Sequence, residues 1–332
     1  YSEHGGLYMQ PVLSSVLLRG LGALAGDPEI ASVVTDSREA GPGSLFVCIR
    51  GERVDGHDYA LRALEAGAAG VVVQRPVPGV PPEKCVQVPD ALDAMIRLGA
   101  NYRALYSPLL AGVTGSVGKT TTKEFCYAVF SAFGKTLRTE GNQNNEIGMP
   151  NTLFRLDKSV EYAVVEMGMQ GLGEIRKLTL AAKPAGAVIT CIGRSHLEQL
   201  GTRENILRAK LEICEGLPQG APLVVNGDDD YLPGAAVRPD LEKVLFAVEN
   251  PDADVRALDI VSGRRARGSP SRTRRTEACP RISRPWACTM CATRFRLMRW
   301  PRAWALHRPL RPRRWRIIKR RATASMWWST AA

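Results

Sequence analysis

Short apolar runs separated by amphipathic stretches recur along the chain, and their lengths predict strands alternating with helices. The runs VVT (33–35) and LFVCI (45–49) flank a Pro42-Gly43 turn, and DYALRALEAGA (58–68) has the spacing of an amphipathic helix feeding the strand GVVV (70–73). These make a small α/β unit of about 100 residues. Ala91 to Tyr106 reads as a helix ended by Ser107-Pro108, and a domain boundary is expected between residues 106 and 107. Beyond it the strands LLAGVT (109–114), EYAVVEMG (161–168), AGAVIT (185–190) and PLVVN (222–226) alternate with helices expected at 120–133, 173–182 and 202–215. The fold class read from this alternation is α/β: a small N-terminal α/β domain (9–106), then a mostly parallel, helix-covered sheet (107–262).

Candidate chemistry gathers where the strand at 109–114 breaks into LLAGVTGSVGKTTT. Glycines at 112, 115 and 118 let backbone N–H groups turn toward phosphate oxygens. The helix that follows adds positive potential, and a lysine and a threonine hydroxyl can serve the β/γ-phosphates and Mg²⁺. Gly115, Ser116, Val117, Gly118, Lys119, Thr120 and Thr121 are therefore expected to cradle a nucleoside triphosphate. The spacing departs by one from GxxxxGK[ST], because Val113 stands where the first glycine belongs.

The loop GNQNNEIGMPNTL (141–153) brings Asn142, Asn144 and Asn145, whose amides both donate and accept. Glu166 ends the next strand, in the crevice where α/β sheets bind ligands, and as a hard oxygen ligand it can hold Mg²⁺. The strand at 185–190 delivers Gly193, Arg194, Ser195 and His196 to the same edge, and the strand at 222–226 delivers Asn226 and the acidic run 228–230. In the N-terminal unit Asp36, Ser37 and Arg38 cluster at a strand end, and Asp55, Gly56 and His57 precede the helix. Turn capping and ligand contact are equally consistent with those two clusters.

Composition changes the picture at one place. The net charge of +12 invites a nucleic-acid reading, but residues 263–332 hold nineteen Arg, one Lys, one Glu and all six Trp of the chain, with no Asp, Asn, Gln, Val or Tyr. Residues 1–262 carry 25 basic and 32 acidic groups, a net −7 ordinary for a cytosolic enzyme. The sequence has no apolar run long enough to span a membrane and no signal pattern before Met9, so a cytoplasmic protein is expected. Cys48, Cys85, Cys126, Cys191 and Cys214 sit in apolar contexts and are expected as small buried thiols. Cys288 and Cys291 form a CxxC with no second pair to complete a zinc site.

The motifs TDSR (35–38), DGHDY (55–59), TGSVGKTTTKE (114–124), GNQNNEIGMP (141–150), EMG (166–168), SHLEQLG (195–201), AKLEI (209–213) and NGDDDY (226–231) together resemble the Mur ligase family, over roughly residues 9–262. The resemblance implies an ATP-dependent amide-bond ligase of peptidoglycan precursor synthesis. It would activate the terminal carboxylate of UDP-N-acetylmuramoyl-tripeptide as an acyl phosphate and join it to D-alanyl-D-alanine. On that pattern Lys119 pairs with the β/γ-phosphates, Thr120 and Glu166 hold one Mg²⁺, and His196 helps hold a second. Lys210 matches the lysine that the family carbamylates, which needs a neutral amine first; burial or nearby charge can supply one. Asn226 and Asp229 are carried over as nucleotide contacts, Ser37, Arg38 and the three asparagines as substrate contacts, and residues 32–105 as the UDP-sugar domain. A monomer with no nucleic-acid partner is implied.

The family continues with a HxxN segment and a C-terminal domain, and the tail from about residue 263 instead has the composition of a GC-rich gene read out of frame. Back-translating 286–295 and starting two bases later fits the family pattern GxHxxxNAL, so the tail is expected to be frameshifted and the chain to have little ligase activity. Two rival readings are a basic nucleic-acid-binding module built on the tail and another phosphate-loop NTPase acting as a switch.

Overall fold

A computed structural model of the chain describes residues 9–257. The tail expected to be frameshifted, the Cys288/Cys291 pair and the nucleic-acid reading built on the tail all lie outside the described residues.

The chain opens with β1 (Val12–Leu13), α1 (Ser14–Leu17) and β2 (Glu29–Ile30), the two strands pairing antiparallel. β3 (Ser32–Val34), β4 (Ser44–Val47), β5 (Gly70–Val73) and β6 (Cys85–Gln87) form a parallel sheet in chain order, with α2 (Ala60–Glu65) between β4 and β5. Next comes α3 (Ala91–Arg103), capped by the Asp90 side chain, which accepts from Asp93 N at 2.8 Å.

The second sheet starts with β7 (Leu109–Thr114) and α4 (Lys119–Phe130), followed by β8 (Thr136–Arg138), α5 (Gly148–Phe154), β9 (Tyr162–Glu166) and α6 (Glu174–Ala182). It continues through β10 (Gly186–Ile189), α7 (Leu197–Leu200), α8 (Arg203–Leu211), β11 (Pro222–Asn226), β12 (Glu242–Ala247) and β13 (Val255–Arg256). Its order is β13-β12-β11-β10-β7-β9-β8, every neighbouring pair parallel. β7, β9, β10 and β11 are buried almost end to end, because helices cover both faces, and their near-continuous apolar runs follow from that.

The expected strands and helices recur with shifted ends. α4 stops at Phe130 rather than Phe133, and the helix expected over 202–215 is α8 followed by a 3₁₀ turn at Glu212–Gly216. Several pieces have no counterpart in the sequence reading, among them α5, β12 and β13. In α5, Pro150 falls in the first turn, where its missing N–H costs no helical bond, and β12 and β13 extend the sheet past the acidic run. Among the described residues no helix is long and apolar enough to cross a membrane.

One core runs through both sheets. α3 is the shared wall. Asn101 Nδ2 donates to the carbonyls of Leu17 (2.8 Å) and Arg19 (3.0 Å), while Arg103 Nε donates to that of Ala182 (3.2 Å). Between them the fully buried Tyr102 accepts from Gln10 N at 2.9 Å and donates to Leu156 O at 3.0 Å.

Candidate functional site

In the larger sheet the chain leaves β7 toward β8 and β9 on one side and later fills β10 to β13 on the other, so β7 is the switch point of the topology. Register puts Val113 beside Glu166 and Thr114 beside Ile189, so the turn after β7, the end of β9 and the loop after β10 share one edge.

That turn admits only glycine at its first corner. Gly115 has φ +143°, and a Cβ there would stand 1.9 Å from Thr190 Oγ1. The same hydroxyl donates to Val117 O at 2.5 Å, and Ser116 N donates to Cys191 O at 2.9 Å, so the β10 loop ties the turn down. Gly118 has φ +83° and starts α4 with no side-chain cap, leaving the first-turn N–H groups facing the turn. Ser116 Oγ is buried with no hydrogen-bond partner among the described residues. Lys119 Nζ folds back onto the carbonyls of Gly115 (2.9 Å) and Ser116 (3.4 Å). Thr121 is exposed.

Glu166 is 1% exposed and fully engaged. Its Oε2 accepts from Thr120 Oγ1 at 3.1 Å, its Oε1 accepts from Asn144 Nδ2 at 2.8 Å, and its own N–H donates to Thr139 Oγ1 at 3.0 Å. Lys123, also 1% exposed, brings its ammonium to 3.8 Å from Oε2. Lys123, Thr139 and Thr190 are missing from the residues expected in the sequence. A lysine four positions after Lys119 repeats on the same helix face, but nothing local separates it from a solvated one.

On the β10 side, His196 holds a left-handed backbone conformation, φ +66°, unusual for a residue with a Cβ. Burial first, then the ammonium groups of Lys210 and Lys119, hold its imidazole below the usual histidine range. Lys210 is 1% exposed, and burial, reinforced by Lys119, pulls its amine down to about 7. No ion pair to Lys210 forms among the described residues.

The remaining expected residues are placed differently. Asn226 Oδ1 accepts from Asp228 N at 3.0 Å. Asp229 accepts from Ile192 N at 2.8 Å, Tyr231 N at 2.9 Å and Leu232 N at 3.0 Å, holding the β10 and β11 loops together. Asn145 Oδ1 accepts from Gly148 N at 2.8 Å at the start of α5, and Asn142 is exposed. Ser37 and Arg38 lie in a 3₁₀ turn of the smaller sheet, capped by Asp36, whose carboxylate the Arg38 guanidinium and N–H hold down at about 2. Nearby, His57 is buried: its Nε2 accepts from Gln74 N at 2.9 Å, so Nδ1 carries the proton and donates to Asp55 at 2.5 Å. Cys48, Cys126 and Cys214 are buried, and Cys85 and Cys191 are half-buried.

A parallel sheet with a glycine-cornered turn at its switch point, a free helix N-terminus and a carboxylate on the adjacent strand defines a phosphate-loop α/β protein. Residues 113–273 match the Mur ligase middle domain and residues 29–103 match the Mur ligase family, catalytic domain; the chain belongs to the Mur ligase family. It is 44% identical over 208 residues to the UDP-N-acetylmuramoyl-tripeptide--D-alanyl-D-alanine ligase of Bacillus subtilis, covering 62% of this chain and 45% of the relative. To the Escherichia coli protein of the same name it is 36% identical over 241 residues, covering 72% and 53%. Among solved structures it resembles MurF from Acinetobacter baumannii (TM-score 0.68, 32% identity, 76% of this chain and 56% of that one). It also resembles the MurF ligase of Thermotoga maritima in complex with ADP (TM-score 0.62, 34% identity, 67% and 51%). The chain spans about half the length of the curated relatives it matches.

Proposed function

We propose that this chain carries the sugar-nucleotide and ATP-binding part of an ATP-dependent ligase that joins D-alanyl-D-alanine to UDP-N-acetylmuramoyl-tripeptide in peptidoglycan precursor synthesis. Residues 9–106 take the UDP-muramoyl end, with Ser37 and Arg38 in contact, and residues 107–262 take ATP. The observation that carries the reading is the meeting of Thr120 and Glu166 at the mouth of the Lys119 turn.

Lys119 leaves its two carbonyls to neutralise the β/γ-phosphates, while N–H groups of the turn and of α4 orient them. The buried, unpartnered Ser116 hydroxyl and the Gly115 corner favour a ligand held close to backbone. The carboxylate of the tripeptide attacks the γ-phosphorus and ADP leaves. The amine of D-alanyl-D-alanine then displaces phosphate, forming the amide bond.

The donor chemistry fits Mg²⁺: a hydroxyl and a buried carboxylate are hard oxygen ligands. No group of three or more His, Cys, Asp or Glu that could hold a metal occurs among the described residues, so phosphate oxygens would complete each ion's shell. Thr120 and Glu166 would hold one ion. His196 would hold a second with Lys210, whose amine, neutral in part near pH 7, can take up CO₂ and become a carboxylate-bearing ligand. Such ions would spread the charge that develops on the transferring phosphoryl group.

In the full chain, Lys119→Ala should abolish ATP binding while leaving the unfolding midpoint unchanged. Parental ATP affinity in the folded variant overturns the nucleotide site. Arg38→Ala should weaken binding of UDP-N-acetylmuramoyl-tripeptide without touching ATP affinity.

A further inference from the structure

Behind Glu166 lies a buried cation that the proposed reaction does not use. Lys123 sits one turn after Lys119 on α4, is 1% exposed, and divides its ammonium among three acceptors: Glu124 Oε1 and Gly141 O, each at 3.4 Å, and Glu166 Oε2 at 3.8 Å. Glu124 is 42% exposed and is itself paired with Arg138, whose guanidinium lies 4.1 Å over the Tyr127 ring. So one lysine stands between a buried carboxylate and a wet one.

A buried charge left without a partner is strongly destabilising, so Glu166 in the metal-free protein needs a counter-ion, and among the described residues Lys123 is the cation paired with it. The oxygen it faces, Oε2, is the one that accepts from Thr120 Oγ1, and therefore the one that a cation held by Thr120 and Glu166 would contact. A divalent ion and an ammonium on one buried oxygen repel each other. Glu124 Oε1, already 3.4 Å from the ammonium, offers Lys123 an alternative partner on the solvent side.

We infer that Lys123 is the internal counter-ion of Glu166, a positioning residue that hands over to Glu124 when Mg²⁺ arrives and thereby sets the metal affinity of the site. The inference rests on Glu166 being a metal ligand. It predicts opposite shifts for two variants. Lys123→Met removes the competitor, so Mg²⁺ should bind more tightly, about tenfold, although the metal-free protein loses stability. Glu124→Gln removes the alternative partner and confines Lys123 to Glu166, so Mg²⁺ should bind more weakly by a similar factor.

The measurement is the affinity of the full chain for AMP-PNP, a non-hydrolysable ATP analogue, titrated against Mg²⁺, with thermal unfolding recorded with and without the metal. A purely structural Lys123 would lower the unfolding midpoint in both variants without moving the Mg²⁺ dependence in opposite directions; that result overturns the inference. If Lys123→Met does not fold, Lys123→Gln carries the same titration, and Lys123→Arg, which keeps the cation, should stay close to the parent. Glu166→Ala separates the two levels. If it leaves the Mg²⁺ dependence intact, the metal-site reading fails. If it abolishes that dependence while the Lys123 and Glu124 variants match the parent, the counter-ion role alone fails.

Discussion

At the scale of single residues, Lys210 shows how burial converts a commonplace side chain into a reagent. Its amine is drawn down to about 7 because the charged form has lost its hydration and is repelled by Lys119, which together outweigh the pull of Glu174 and Glu212. The sign of the resulting pH dependence follows by linkage. Between about pH 7 and the unfolded lysine value near 10.4, the unfolded chain binds a proton that the native site does not, so this residue's contribution to stability rises with pH through that window and falls away as pH drops toward 7. Lys210→Met should flatten the rise in CO₂-free buffer, measured by chemical denaturation at pH 7, 8, 9 and 10. A parallel pair of curves for parent and variant would refute the burial argument. The same residue gives a chemical prediction. In a chain extended to family length, Lys210→Ala should lose ligase activity and regain part of it with added short-chain carboxylates, which occupy the place of a carbamate. Full activity in the unsupplemented variant removes Lys210 from the mechanism.

At the scale of elements, the turn after β7 was legible in the sequence because its requirements are local: glycine at φ +143° and +83°, then lysine and threonine opening a helix. What was not legible is which strand clamps it. Thr190 closes an ordinary apolar run, and only the parallel pairing of β7 with β10 brings its hydroxyl to Val117 O and to the space above Gly115. Asp229 makes the same point in reverse. The family resemblance carries it over as a nucleotide contact; its carboxylate also accepts three backbone N–H groups and spans two loops, a bracing that no local pattern shows. Side-chain chemistry can be read from the chain; the partner that consumes it depends on strand order. Gly115→Ala should therefore cost at least about 2 kcal/mol, from backbone strain and the collision with Thr190 together, and should abolish nucleotide binding. Removing the hydroxyl as well, in Gly115→Ala/Thr190→Ala, should recover only part of the loss, because Thr190 N would still lie 3.0 Å from the new methyl group. Complete recovery in denaturant titrations would show that the hydroxyl alone excludes a side chain there.

At the scale of the whole molecule, the alternation of apolar runs separated a small sheet from a large one, with a boundary expected after the helix at 91–106. It could not show that this helix belongs to both. Asn101 bonds backbone at the end of α1 and just past it, Arg103 bonds the end of α6, and Tyr102 joins Gln10 to Leu156, so three consecutive residues tie α3 to both halves. Gly99 lets the helix approach α5 closely: a Cβ there would stand 2.9 Å from Pro150 Cβ. Burial raises the Tyr102 hydroxyl well above the ordinary tyrosine range, so it remains a neutral donor at any working pH. Two sheets with one continuous core should unfold together, and a nucleotide bound at β7 should protect the β3–β6 sheet from hydrogen exchange as well as its own. Tyr102→Phe keeps the ring and removes the hydroxyl's bonds to Gln10 and Leu156 and the longer one it accepts from Tyr106 Oη at 3.3 Å; stability should fall by about 1–3 kcal/mol with a single transition retained. Tyr102→Ala also empties the volume against Phe154 and Tyr106, costing about 3–5 kcal/mol, and should split unfolding into two steps, the β3–β6 sheet melting first. Exchange measured on that variant with AMP-PNP present should show protection confined to the larger sheet. Protection that still reaches β3–β6 would mean that the halves are coupled by contacts other than those of Tyr102.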